Sequence, residues 1–345
     1  MGSGKTTSFD IAQAAGVSQA TVSRALRNSP LVNVETRQKV KRIARELNYR
    51  VDRSAAGLRS QRSNTLALLI FEDPTTDDSQ INPFFLSLLG NATRFAARRG
   101  YDVLVSFQQL SDDWLYEYEA ANRADGIILL GYGDYGKISD KLRRLHDDGG
   151  HFVIWGATTP ELEGHAIGCR NRNGGEIITR HLLALGRRRI AFIGGASDDC
   201  PEFKQRFEGY CAALENEGVW VRDELRVDAE NQETSGFQAM DRLLESGAQF
   251  DAVLGASDLI AIGAMKRMRK AGLSIPEDVS VAGFDDIPAA SYFTPSLTTM
   301  RQDTRAAAEA LVDNLLAMID GQPGQSQLLP MELVVRGSCG GRDRG

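Results

Sequence analysis

Phe9-Asp10-Ile11-Ala12-Gln13-Ala14-Ala15-Gly16-Val17-Ser18-Gln19-Ala20-Thr21-Val22-Ser23-Arg24-Ala25-Leu26 sets two short helical patterns on either side of one glycine. The first helix stops at a tight turn, Gly16-Val17, and Ser18 caps the second. The glycine lets the chain turn sharply, and Val17 and Val22 are spaced to bury against Ala12 and Leu26. The start of the second helix is then left exposed, as a helix that enters a DNA major groove must be. On it, Gln19, Ala20 and Arg24 are candidates for base edges. Arg24 can donate a pair of hydrogen bonds to guanine, worth about 1–3 kcal/mol of discrimination. Ser18, Thr21 and Ser23 carry hydroxyls suited to phosphate oxygens, which helix N-terminal amides also attract. Thr7, Asn28 and Thr36 complete the candidate DNA contacts. The bland alternative is a solvated helical hairpin with incidental charge.

Working outward, Thr7-Ser8-Phe9-Asp10 is a capping-box-like helix start and Asn33 caps a third helix, which sets Val40, Ile43, Ala44 and Leu47 on one face. Residues 7–50 thus read as a small all-α headpiece. Charge agrees: residues 1–63 hold 12 Lys and Arg against 4 Asp and Glu, a balance of +8, while the whole chain carries −6. The remainder is therefore at −14, and a polyanionic partner is expected for the first segment only.

From Thr65 onward short apolar runs alternate with amphipathic helices, the pattern of βαβ units and parallel sheets. The runs are Leu66–Phe71, Val103–Phe107, Gly126–Leu130, Phe152–Trp155, Arg189–Ile193, Ala252–Leu254 and Val279–Phe284, with helices such as Phe84–Arg99, Glu202–Glu217 and Asp303–Ile319. At 345 residues the chain is long enough for a small domain and a large α/β one in two halves.

Several motifs point nowhere. Gly2-Ser3-Gly4-Lys5-Thr6 resembles the tail of a phosphate loop but has no strand before it. Gly131-Tyr132-Gly133-Asp134-Tyr135-Gly136 fits a dinucleotide pattern but follows the third run, and the next run ends Ile154-Trp155-Gly156-Ala157 without the acid a ribose needs. Cys169, Cys200, Cys211 and Cys339 are too scattered for a metal or redox motif and read as reduced structural thiols. His146, His151, His165 and His181 do not pair at metal-ligand spacings, and no nucleophile elbow occurs. The expectation is no enzyme, no cofactor and no metal. With neither a signal peptide nor an apolar run of membrane length, the expected place is the cytoplasm, with the nucleoid and not a membrane.

From about Thr7 to Arg336 the chain resembles the lactose-repressor family of bacterial transcription regulators. Ala15-Gly16-Val17-Ser18, Thr21-Val22-Ser23-Arg24 and Leu47-Asn48-Tyr49 look like the family's headpiece. The resemblance implies a hinge over 51–63 that becomes helical on operator DNA, with Arg53, Ala55 and Gly57 at the DNA and Leu58 wedged into the minor groove; the alternative is a plain linker. It also implies a sensor, 64–338, similar to periplasmic sugar-binding proteins. Lobe 1 is placed at about 64–157 and 298–325, lobe 2 at about 158–297 and 326–338.

In that sensor Asn82-Pro83-Phe84-Phe85 resembles a segment whose aromatic side chains wall the effector, though Phe84 and Phe85 could equally be core. Arg206-Phe207-Glu208-Gly209-Tyr210 resembles the family's Arg-x-x-Gly-Tyr, with Arg206 holding effector hydroxyls or, alternatively, a surface ion pair. Asp285, in Gly283-Phe284-Asp285-Asp286, can accept hydrogen bonds from a polyol. Ser257 is the next contact, with Asp258 as a helix cap, and Trp155 and Asn231 are weaker candidates. The resemblance implies a homodimeric repressor of double-stranded operator DNA, released by a small polar, sugar-like effector. Alternatives are a corepressor-dependent regulator that responds to a nucleobase or sugar phosphate, and a solute-binding protein. One departure stands out: Arg170-Asn171-Arg172-Asn173-Gly174-Gly175 has arginine where the family usually has aspartate.

Overall fold

The computed structural model describes residues 6–26, 28–49, 62–70, 81–107, 113–131 and 135–341. The chain divides between Ser63 and Asn64 into two compact units.

The first unit holds helices α1 (Ser8–Ala15), α2 (Gln19–Leu26) and α3 (Val34–Glu46). Thr7 and Asp10 close a full capping box at the start of α1: the Thr7 amide donates to the Asp10 carboxylate at 2.7 Å, and the Asp10 amide donates to Thr7 Oγ1 at 3.4 Å. Gly16 then takes φ +66, the left-handed conformation that lets α1 end within one residue. Ile11, Val22, Ala25 and Val40 are fully buried where the three helices meet. Leu47, expected on the buried face of the third helix, is 38% exposed because α3 ends at Glu46 and Leu47 is only its cap.

The second unit is built from strands β1 (Thr65–Ile70), β2 (Asp102–Phe107), β3 (Ile127–Leu130), β4 (Phe152–Trp155), β5 (Ala166–Cys169), β6 (Ile190–Ile193), β7 (Arg226–Val227), β8 (Ala252–Gly255), β9 (Ser280–Asp285), β10 (Thr298–Gln302), β11 (Gln327–Leu329) and β12 (Met331–Val334). Helices α4 (Pro83–Arg98), α5 (Tyr135–Asp147), α6 (Asn171–Ala184), α7 (Pro201–Asn216), α8 (Glu233–Glu245), α9 (Asp258–Lys270), α10 (Pro288–Tyr292) and α11 (Thr304–Ile319) lie between them. Among the described residues the strands make two six-stranded sheets, ordered β11-β5-β4-β3-β1-β2 and β12-β10-β9-β8-β6-β7. Each half therefore repeats one doubly wound order, with its reversal points between β1 and β3 and between β6 and β8. The first sheet is parallel throughout, whereas β12 runs antiparallel to β10. Buried on both faces by helices, β3, β4, β6 and β8 read as continuous apolar runs, which is why they were legible.

The lobe borders differ from expectation. β5 belongs to the first sheet and β10 to the second, because each half completes a fifth strand before the chain leaves it; β11 returns to the first sheet. The first lobe therefore runs through Cys169 and regains the chain from α11 to β11, and the crossings lie beside Arg170, Asp303 and Pro330. β10 escapes an apolar search because it reads Thr-Thr-Met-Arg-Gln, yet Thr298 and Thr299 are fully buried. Their hydroxyls are engaged, with Thr298 Oγ1 donating to the Arg336 carbonyl at 3.1 Å and Thr299 Oγ1 to Asp258 at 2.6 Å.

The four cysteines are free, as expected of structural thiols; burial pushes the Cys169 and Cys200 thiols up to about 12. No helix among the described residues is long and apolar enough to cross a membrane.

Candidate functional site

In the headpiece α2 presents Ser18, Gln19, Ala20 and Arg24 as exposed side chains, with Thr21 and Ser23 half-buried. Ser18 Oγ accepts the Thr21 amide at 3.1 Å and lies 2.9 Å from Thr21 Oγ1, so both hydroxyls are held at the N-terminal end of α2. Thr7 Oγ1 is committed to Asp10 at 2.8 Å. Asn28 sits at φ +59 with its Oδ1 accepting from Lys41 Nζ at 2.5 Å, and Thr36 is half-buried in the first turn of α3. Arg37, by contrast, is a structural cation that donates to the Ser29 and Val32 carbonyls at 3.1 and 2.8 Å. Arg53, Ala55, Gly57 and Leu58 lie outside the described residues, as do positions 132–134 of the glycine-rich loop.

In the second unit the candidate effector residues gather at the carboxyl ends of the strands, where open parallel sheets hold ligands. Asn82 caps α4 through Oδ1 to the Phe84 amide at 2.9 Å, with Pro83 preset for the first turn. That start turns Phe84 onto Trp155, ring centroids 5.8 Å apart, and both are buried. The indole is thus packed beneath Phe84.

Arg206, one turn inside α7, is 0% exposed. Its Nε donates to Asn171 Oδ1 at 2.9 Å, its Nη1 to the Ala256 carbonyl at 2.5 Å, and Nη1 stands 3.6 Å from Asp285 Oδ1. Phe203 and Phe284 bracket the guanidinium, at 5.2 and 4.7 Å from their ring centroids. This buried ion pair contradicts the alternative of a surface salt bridge.

Asp285 ends β9 at φ +108 and Asp286 follows at φ +55. Two consecutive acids in left-handed territory cost of order 1–3 kcal/mol each, and such strain collects at binding sites. Gln302 Nε2 fixes Asp285 Oδ1 at 2.5 Å, while Asp286 accepts from Arg301 and Arg336, each at 2.6 Å.

The helix cap expected of Asp258 is supplied by Ser257 instead. Ser257 is the cap of α9, accepting the Ile260 amide at 3.3 Å. Asp258 is fully buried, bonded to Thr299 Oγ1 and to the Ile287 amide, the latter at 2.9 Å. Burial, with the Asp285 carboxylate next to it, pushes the Asp258 carboxyl well above the usual carboxylate range, favouring its protonated form in the folded chain. A folded-state pKa raised above the unfolded value, about 3.9, removes stability as pH rises from there toward the folded pKa. Asp258→Asn is therefore expected to shift the melting temperature upward relative to the parent by more at pH 7 than near pH 3; equal shifts at both pH values would count against a raised Asp258 pKa.

Between α4, the β9–α10 turn and the β10–α11 turn lies a cavity of about 340 Å³. Phe84, Ser87, Asp285, Ser291, Gln302 and Thr304 are among its lining residues. Of the effector candidates Phe84 and Asp285 face this cavity. Phe85, Trp155, Arg206 and Ser257 are buried outside its lining, and Asn231, between β7 and α8, is half-buried with a buried Oδ1. Sequence reasoning missed Asn171 and Gln302, which anchor Arg206 and Asp285, and Glu202, which accepts the Ala157 amide. Asn171 was in view within the Asn-x-x-Gly-Gly stretch, but its partner stands 35 positions away.

Residues 9–52 match the model of bacterial regulatory proteins of the lacI family, and residues 179–339 match a periplasmic binding protein-like domain. The transcriptional regulator CelR of Thermobifida fusca is 30% identical over 335 residues, which span 95% of this chain and 96% of the relative. The chain belongs to the LacI family. It is a DNA-binding transcription regulator with a helix-turn-helix headpiece and a two-lobed α/β domain.

Solved structures agree across both units. The lac repressor dimer bound to operator and the anti-inducer ONPF aligns over 97% of this chain and 99% of its own, with TM-score 0.81 and 27% identity. The CelR–cellobiose complex aligns over 96% and 99%, with TM-score 0.72 and 29% identity. Within this LacI-family fold Arg170 occupies the cap position of α6 without a side-chain capping bond, and its amide donates to the Leu329 carbonyl at 3.0 Å. An acid there would complement the helix N-terminus; the arginine forgoes that and sets a positive charge beside two of the three chain crossings.

Proposed function

We propose that this LacI-family regulator binds a pseudo-palindromic operator as a homodimer and is released by a sugar-like effector taken into the cleft between its lobes. The observation that carries the reading is the Arg206–Asp285–Gln302 cluster. One buried guanidinium and one carboxylate, each fixed by an amide side chain, stand at strand ends beside a polar cavity, a donor and acceptor set that suits vicinal hydroxyls. That CelR is found with cellobiose and the lac repressor with operator supports both halves. Effector binding closes the cleft, and differential affinity of the ligand for the two lobe arrangements lowers affinity for operator. Two-fold symmetry places the two α2 helices in successive major grooves.

Base reading by α2 is assigned to Gln19, Ala20 and Arg24, with Ser18, Thr21, Ser23, Thr7, Asn28 and Thr36 on phosphates. Leu58, with Arg53, Ala55 and Gly57, is assigned to the minor groove at the operator centre, where a flexible pyrimidine–purine step is expected. Selection from random duplex DNA tests this, with the selected sites bound again in the presence of mono- and disaccharides. A palindrome released by one sugar is the expected result. Arg24→Ala should weaken the selected site by about 1–3 kcal/mol while non-specific binding falls far less. An Arg24→Ala protein that binds selected and random DNA as the parent does would refute the assignment, and a sugar that tightens binding would reverse the sign of the switch.

A further inference from the structure

Glu202 lies in the first turn of α7, one turn ahead of Arg206, and is 2% exposed. Its carboxylate crosses between the lobes: Oε1 accepts the amide of Ala157, two residues past the end of β4, at 2.9 Å. A buried acid from the second lobe thus sits at a strand end of the first, in the region where ligands of such sheets collect. We propose that Glu202 makes the effector site selective for uncharged sugars and against uronates and sugar phosphates. The inference rests on the sugar-effector reading and deepens it.

The charges around the cleft carry the argument. Asp285, Asp286 and Asp303 line the cavity with Arg301 and Arg336, while Glu202 and Arg206, one turn apart on α7, are buried outside that lining, Arg206 against Asp285. Each guanidinium is already engaged. Arg206 faces Asp285, and Arg301 and Arg336 share Asp286, with Glu332 a second partner of Arg301 at 3.1 Å. An anionic effector would enter beside the buried Asp285 carboxylate, with Glu202 one turn from its Arg206 partner, and compete with carboxylates for every arginine, in surroundings of low dielectric where like charges repel strongly. A neutral polyol meets the opposite situation, since its hydroxyls donate to those same oxygens.

Calorimetric titration of the full chain tests this with neutral mono- and disaccharides, each set against its uronate or phosphate ester, glucose with glucuronate and glucose 6-phosphate among them. The neutral member of the responding pair is expected to bind at least about 100-fold more tightly than its charged counterparts. Glu202→Gln, which keeps an acceptor for the Ala157 amide, should shrink that ratio by at least about tenfold, and Glu202→Asp, which keeps the charge, should preserve it. Glu202→Ser serves as a second uncharged side chain if the glutamine variant does not fold. A purely structural role would shift neutral and charged ligands together, leave the ratio unmoved, and overturn the proposal. So would a charged sugar that binds the parent chain as tightly as its neutral form. Binding of no sugar by a chain that still binds operator overturns the sugar reading underneath, a different and recognisable result.

Discussion

Arg206→Ala is expected to destabilise the second unit by about 3–5 kcal/mol, since removal of one member of a buried ion pair strands the other. The guanidinium is fully buried and serves three partners at once, Asn171 Oδ1, the Ala256 carbonyl and Asp285, with two aromatic faces about it. Alanine would leave those acceptors in a space that closes poorly over them. Denaturant titration should show a lower midpoint at unchanged slope, and the sugar response should vanish. The double variant Arg206→Met/Asp285→Asn should recover a good part of the loss, because it removes the stranded charge as well. A single-variant loss below about 1 kcal/mol would mean that the cluster is not the buried, mutually dependent group described.

The second large effect concerns a residue with no side chain. Gly175→Ala is expected to cost about 3 kcal/mol, the upper range for overpacking, although alanine in an open helix would gain roughly 1 kcal/mol over glycine. A Cβ at Gly175 would come inside 3.0 Å of the Arg206 carbonyl oxygen, and one at Gly209 would do the same to the Arg172 carbonyl. α6 and α7 therefore touch backbone to backbone, reciprocally, at the turn that carries Arg206. Thermal unfolding of Gly175→Ala measures the effect. A melting temperature equal to or above that of the parent would show that the two helices can separate freely. Since the same shift displaces Arg206, sugar affinity should fall with stability.

These two results mark what the sequence makes legible. The headpiece is written locally: caps, a left-handed glycine and helical spacing lie within a few residues of one another, so α1 to α3 and the exposed face of α2 follow from reading along the chain. The long parallel strands are equally plain because both faces are apolar. β5, β7, β10 and the pair β11–β12 are not, being short, interrupted by glycine or polar, and held by partners far away in sequence. The site divides in the same manner. Arg206 and Asp285 announce themselves by motif, yet what fixes them, Asn171 and Gln302, carries no periodic signal and emerges only when two helices and two strands meet. Ser257 and Asp258 show the limit most clearly: two adjacent residues suited to capping, whose roles are decided by a threonine on β10.

The three crossings beside Arg170, Asp303 and Pro330 also bear on how such a chain diversifies. The headpiece is joined to the rest at one place, so a single recombination event between two genes exchanges it whole and yields a new pairing of operator and effector. Neither lobe can be exchanged that way, for each is made of separated segments, and one breakpoint would leave half-sheets with mismatched faces. Reader and sensor are thus inherited as separable modules, whereas effector preference must drift by point substitution within a body that recombination cannot cut cleanly.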